Sequence, residues 1–302
     1  MTKIGCFIPS YAGSGPINVP GIMAFSQEAE RLGYSHLWAG DHYLWNVGIL
    51  SPMTTLAAVS AVTETIRLGT GVYLMNLRHP SITAKDIASV DVLSGGRLIM
   101  GVGIGGDNPE EYRVMGVEPN ARGKRLEENM AAVQSLLAQS GAEFTGEYVT
   151  VPAFTMAPRP QQDPVPMWIG GRAQVVVERS ARTAQGWFPV WVSPSRIKAA
   201  WDTVDEIRGS REGFDIALNI FATIDDSREA AGKAMATHLN NAYGLPFDAF
   251  ERYSAYGSAD DLVETLSAYI DAGVTDIALN IAGPQIGEQL QRFAEDVIPR
   301  LS

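Results

Sequence analysis

Apolar residues recur along the chain in two alternating rhythms. Short continuous runs, the mark of strands covered on both faces, are each followed by a longer stretch of helical spacing. The first run is KIGCFIP (3–9); Ile22, Phe25, Ala29 and Leu32 then follow helical spacing until Gly33 stops the helix. HLWAG (36–40) predicts a second strand ending in Asp41-His42, and 52–64 a helix with Pro52 in its first turn. Strand three is expected from Ile66 (IRLGTGVYLM) and strand four from Arg97 (RLIMGVG), with a helix from Pro80 to Ser94 between them. Leu126, Met130, Val133 and Leu136 mark a long helix. Residues 141–164, rich in Pro, Thr and aromatics, interrupt the rhythm and read as an insertion: a short hairpin, or a lid or substrate wall. The alternation resumes with strands over 165–171, 186–192, 214–224 and 275–281, and helices over 173–184, 195–208, up to about 243, and 286–301.

Eight such repeats predict an α/β chain folded as one domain over residues 1–302, a (β/α)₈ TIM barrel with an insertion after strand four. A doubly wound open sheet is the alternative, but no Gly-rich dinucleotide fingerprint accompanies it. Composition narrows the class. With 46% hydrophobic residues and 19% charged, the chain can bury a large core. Cys6 is the only cysteine, so an internal disulfide is excluded. A formal charge of −11 disfavours nucleic acid or an anionic membrane as partner. The N-terminal residues lack a signal-peptide pattern, and no apolar run approaches the roughly 18 residues of a spanning helix, so a cytoplasmic protein is expected. Neither a His-x-x-x-His, a Cys pair nor a tight carboxylate cluster is present, so no metal is expected.

Barrel enzymes carry their sites just after the strands, and those positions are unusual here. Asp41-His42 follows strand two. His42 is suited to move a proton near neutral pH, and Asp41 to orient or charge-stabilise the imidazole; the pair equally fits a turn cap and a locally packed ring. His36 and His79 read as structural, and His238 as a surface residue. Gly71 and Val72 lie in strand three beside the glycine-rich end of strand four, including Gly103 and Gly105; two glycine-lined strand ends side by side would make a flat slot for a planar ring. Gly170, Gly171, Arg172 and Ala173 close strand five and open a helix, an arrangement that receives phosphate. The alternative there is an ordinary tight turn. Glu110 and Glu111, behind Pro109, read as acids at a helix start. Trp187 and Trp191 lie close enough to a strand end to line a pocket.

With these residues in view the chain resembles the luciferase-like monooxygenase superfamily, barrels that bind FMN or the deazaflavin F420. The similarity is carried by RHPSITAKDIASVDVLSGGRLIMGVGIGGDNPEEYRVMGV (78–117), ARGKRLEENM (121–130), PVPMWIGGRA (164–173) and GSADDLVETLSAYIDAGVTDIALNI (257–281). The resemblance implies that Asp41-His42 is the Asp-His pair of F420-dependent members, with His42 at the reactive face. It implies a non-prolyl cis peptide at Gly71-Val72 behind the ring, and phosphate binding at Gly170–Ala173. The glutamate that follows strand four in sugar-phosphate dehydrogenases of the family is replaced by Gly106 and Asp107. The tryptophan after the Asp-His pair is displaced by one residue, at Trp45. Arg196 and Lys198 near strand six would favour the longer anionic tail of F420. The function expected is hydride transfer between F420 and a small organic substrate, with an FMN-dependent monooxygenase as the alternative. A flavin-binding protein without catalysis and a non-redox barrel enzyme are the remaining readings. A homodimer through the helix over 80–94 is also expected.

Overall fold

Apolar strand sequences covered on both faces build the centre of the computed structural model, which describes residues 2–12, 15–105 and 108–301. Strand β1 (Lys3–Phe7) leads to helix α1 (Val19–Arg31), whose first turn is capped by the Asn18 carboxamide accepting from Gly21 N–H. Next come β2 (His36–Ala39), α2 (Pro52–Ser60), β3 (Arg67–Leu74), α3 (Pro80–Leu93) and β4 (Leu98–Gly103). Pro52 and Pro80 each sit in a first helical turn, where a missing N–H costs nothing. Two helices follow β4: a short α4 (Pro109–Val114) and the long α5 (Arg122–Ala138). After the hairpin β5 (Ala142–Thr145) and β6 (Thr150–Phe154), the alternation continues as β7 (Met167–Gly170), α6 (Gln174–Thr183), β8 (Gly186–Phe188), α7 (Pro194–Arg208), β9 (Asp215–Ile224) and α8 (Arg228–Tyr243). The chain finishes with β10 (Ala255–Gly257), α9 (Ala259–Asp271), β11 (Asp276–Ile281) and α10 (Ile286–Arg292).

Parallel pairing runs β1–β2–β3–β4–β7–β8–β9–β11 and back to β1, which closes an eight-stranded barrel. This is the expected fold. The short β10 extends the end of β9 outside the closed ring. Neither β10 nor the two short 3₁₀ turns before it was anticipated, because three-residue strands leave no period to read. Strand six is shorter than expected: it ends at Phe188 because Pro189 cannot continue the ladder, although Val190 still bridges Asn219. The helix expected over 52–64 stops at Ser60, and the last one changes to a π-turn at Phe293–Val297.

The barrel interior is plugged by rings. Trp38 packs on Phe188 at 4.8 Å and on Trp168 at 5.4 Å between centroids. Two strand glycines make room for them. A Cβ on Gly69 would lie 2.2 Å from the Trp38 ring, and one on Gly186 would lie 2.5 Å from the Trp168 ring. At the floor, His36 is buried, its Nε2 3.7 Å from the Asp276 carboxylate. Burial drives the His36 pKa down to about 3 and raises that of Asp276 to about 6. His36 is structural, as expected, and so is His79, whose Nδ1 accepts from Ser81 N–H at the start of α3.

The 141–164 insertion contains the expected hairpin but is no lid. Its turn is fastened to α5 by the Glu128 carboxylate, which accepts from Glu147, Tyr148 and Val149 N–H at 2.8–3.2 Å. The strap after it is held by Asp91, which accepts from Gln161 and Gln162 N–H at 2.6 and 3.0 Å. Gln162 also meets Arg67 and Leu98 O, at the starts of β3 and β4. The insertion therefore covers the outer wall and floor, away from the strand ends that carry the site.

Candidate active site

The C-terminal ends of the strands surround a cavity of about 1170 Å³. All ten residues singled out from the sequence line it: Asp41 and His42 after β2, Gly71 and Val72 in β3, Gly103 and Gly105 at the end of β4, and Gly170, Gly171, Arg172 and Ala173 after β7. Gly106 and Asp107 lie outside the described residues, as does Gly13 of the first loop. A smaller cleft of about 600 Å³ lies between α1 and α10; its one carboxylate, Glu28, is already paired with Arg31.

His42 is held from two sides. Its ring stacks on Trp45, centroids 3.7 Å apart and planes 14° from parallel. Its Nδ1 lies 3.3 Å from both carboxylate oxygens of Glu111 on α4. Glu111 is fully buried and also accepts from Tyr43 N–H at 2.6 Å and Leu44 N–H at 3.2 Å. A carboxylate bound by two backbone donors can only accept, so Nδ1 carries the proton and Nε2 is the nitrogen left for the cavity.

This corrects two expectations. Asp41 does not orient His42. Its carboxylate turns to the end of β3, accepting from Arg78 at 2.5 and 2.9 Å and from Leu74 N–H at 2.8 Å. The Arg78 guanidinium lies in turn over the Tyr73 and Tyr43 rings, at 4.1 and 4.7 Å. Glu111 is not simply an acid at a helix start: Glu110 takes that place, its N–H given to the Asn108 side chain, while Glu111 serves the imidazole. Two adjacent acids where the helix dipole needs one were the only hint in the sequence.

The Gly71-Val72 peptide is cis, and the β3–β4 register shifts between Thr70 and Tyr73. The flat slot expected between glycines is instead a slot filled by Val72. Its Cγ2 lies 2.6 Å from where a Gly103 Cβ would be, and its Cγ1 2.8 Å from a Gly170 Cβ. The glycines thus let the Val72 isopropyl group lie on the cavity wall. Beyond it, Gly171 adopts φ +138°, and α6 begins at Gln174 with no side-chain cap on its first N–H groups. Those donors and Arg172 beside them form an electropositive end; Arg179, which also lines the cavity, is paired with Glu127 at 2.5 Å.

A family model described as luciferase-like monooxygenase matches residues 2–296. The chain belongs to that family. It is 25% identical to the F420-dependent glucose-6-phosphate dehydrogenase of Amycolatopsis mediterranei, over all of this chain and 99% of the relative. Its fold superposes on the coenzyme F420-dependent tetrahydromethanopterin reductase of Methanopyrus kandleri with TM-score 0.81 at 21% identity, covering 100% and 99% of the two chains. It also superposes on an FMN complex of the oxygenating constituent of 3,6-diketocamphane monooxygenase from Pseudomonas putida, with TM-score 0.79 at 14% identity over 100% and 99%.

In this luciferase-like barrel the rest of the mouth is aromatic. Trp191 lines the cavity and stacks on Phe221, while Trp187 is buried and donates to Gly171 O at 2.8 Å. Arg196 and Lys198 do not line the cavity; Arg196 instead bonds Gln174 and lies over Trp187. His238 is not a surface residue. Its Nε2 is buried among Tyr11, Phe221 and Tyr243, and burial lowers its pKa to about 4. Among the described residues no group of three metal-ligating side chains occurs, and no helix is long and apolar enough to cross a membrane.

Proposed function

We propose that this protein is an F420-dependent oxidoreductase that transfers a hydride between the deazaflavin and a small organic substrate at the barrel mouth. The observation that carries this reading is His42, held by Glu111 and Trp45 so that Nε2 is available on the wall of the large cavity. The chain's residues fit such a cofactor. Gly171 and the uncapped start of α6 offer backbone N–H groups to a phosphate, with Arg172 adding charge. Val72, on its cis peptide between Gly103 and Gly170, presents an apolar face to a planar ring.

Bound there, F420 would supply a two-electron hydride carrier. The protein's part is orientation, exclusion of water and proton handling. Nε2 of His42 takes the proton when a substrate hydroxyl becomes a carbonyl and returns it in reverse, while the Glu111 carboxylate stabilises the charged imidazolium. Asp41 acts indirectly, tying the loop after β2 to the end of β3 through Arg78 and Leu74 N–H.

The alternative is an FMN-dependent monooxygenase using reduced flavin and oxygen. It is favoured by one observation: Arg196 and Lys198, counted towards the longer F420 tail, stand off the cavity. Two assays separate them, an anaerobic one with F420 and an aerobic one with reduced FMN. Substrate-dependent change in F420 absorbance supports hydride transfer, whereas oxygen uptake with reduced FMN and none with F420 refutes it. We also propose a homodimer through α3, where Ile82 and Leu93 are 59% and 62% exposed.

A further inference from the structure

The cavity has two chemically different ends. Near the end of β7, Arg172 and the start of α6 concentrate positive charge, while Arg179 beside them is paired with Glu127 at 2.5 Å. On the opposite side the wall starts at His42 itself and is built of rings. Trp45, stacked on His42, meets Tyr243 edge-on at 5.4 Å; Tyr243 meets Phe221 at 5.3 Å; Trp191 stacks on Phe221 at 5.7 Å and packs on Phe250 at 4.4 Å. These rings come from the loop after β2, the segment after β8, β9, and the end of α8 with the segment that follows it, so four separate parts of the chain converge to make one aromatic face. Asn46 ties two of them together by donating to Ala242 O.

The charged lining residues nearest this side are Asp41, paired with Arg78, and Arg172, whose guanidinium lies 5.5 Å from the Trp191 ring where the aromatic face meets the positive end. The other polar groups there are neutral, the amides of Asn46, Asn219 and Asn280 and the hydroxyls of Tyr11 and Tyr243. The one basic group packed behind the rings, His238, is held neutral by burial, its pKa lowered to about 4. A phosphate or carboxylate placed beside Trp45 and Tyr243, at the His42 end, would lose its hydration and meet only Asp41, itself an acid, which is costly. A flat apolar ring would instead meet ring faces and edges at van der Waals distance, with amides for a single oxygen.

We propose that the substrate is an uncharged, ring-bearing organic molecule carrying one carbonyl or hydroxyl oxygen, seated on the Trp45–Tyr243–Phe221–Trp191–Phe250 face next to His42, and not a phosphorylated sugar. This rests on the hydride-transfer reading only for the assignment of the positive end to the cofactor.

The test uses 1-tetralone and glucose 6-phosphate as probes. Calorimetric titration is run on the full-length protein alone and after saturation with F420. Tetralone is expected to bind both forms, and excess glucose 6-phosphate is expected not to displace it. Trp191→Ala and Phe250→Leu, made separately and checked for folding by thermal melts, should each weaken tetralone about fivefold. Displacement by the sugar phosphate, absence of tetralone binding, or an affinity unmoved by both variants overturns the inference. If F420 fails to bind while tetralone binds with this ring dependence, the cofactor reading falls and the substrate class stands. If F420 binds and tetralone does not, the reverse holds.

Discussion

Replacing Glu111 by Gln separates what the carboxylate does for the fold from what it does for His42. Both backbone donors, Tyr43 N–H at 2.6 Å and Leu44 N–H at 3.2 Å, point to the same carboxylate oxygen, Oε1. A glutamine carbonyl in its place keeps both bonds. Its NH₂ then faces Nδ1 of His42, 3.3 Å from the other oxygen in the native protein. An NH₂ only donates, and the Oε1 that Nδ1 also faces at 3.3 Å already accepts from two N–H groups, so Nδ1 becomes an acceptor of the NH₂ and the proton moves to Nε2. Hydrogen bonds to an ionised acceptor exceed neutral ones by roughly 1 kcal/mol each. Three are affected, and removal of a buried charge offsets part of the loss, which leaves about 1–3 kcal/mol. At roughly 2 cal/mol/K per residue of unfolding entropy over 302 residues, Tm should fall by about 2–5 °C. Turnover should fall much further, by about 10² or more, because Nε2 can no longer accept a proton. The assay is ¹⁵N NMR of labelled histidine beside thermal melts and turnover with the substrate found by screening. A native His42 already protonated at Nε2, or an E111Q enzyme with native kcat, would refute the reasoning.

Three other perturbations follow from the structure. Asp41→Ala leaves the buried Arg78 guanidinium without its carboxylate; a loss of roughly 3–5 kcal/mol corresponds to a Tm lower by about 5–8 °C, measurable by calorimetry, and a change under 1 °C would contradict the pairing. Gly69→Ala puts a Cβ 2.2 Å from the Trp38 ring, and should destabilise by at least about 1–3 kcal/mol in denaturant unfolding. His238 has a folded pKa lowered to about 4 from 6.5, so between those values the unfolded chain binds a proton that the folded one does not, and stability falls as pH falls. Its share is about 3 kcal/mol across that window, so denaturation curves of His238→Gln should show a shallower loss from pH 6.5 to 4 than the native protein, and parallel curves would contradict the burial.

The barrel was legible because every strand is covered on both faces and so reads as an unbroken apolar run, while Gly and Pro punctuate the helices. The site was legible as positions: a barrel puts its chemistry after its strands, and the ten residues picked on that ground line one cavity. Partners were not legible. Glu111 reaches His42 across 69 residues, and Arg78 reaches Asp41 across 37; neither distance has a period. Gly71 was read as lining a slot for a ring, whereas Gly69, two residues earlier in β3, makes room for Trp38, a ring from the neighbouring strand. The 141–164 segment read as a hairpin or a lid because its composition is loop-like, and the contacts that fix it to the outside, such as those to Asp91 and Glu128, come from other helices. The aromatic face was hidden for the same reason: its rings come from four separate parts of the chain.

The most direct test of the account is a parallel fluorescence titration of the purified protein with F420 and with FMN. Tight binding of F420 and weak binding of FMN are expected, with F420 affinity reduced when Arg172 is replaced by Ala. Tight FMN binding without F420 binding would contradict it and leave the reduced-flavin monooxygenase as the reading to pursue.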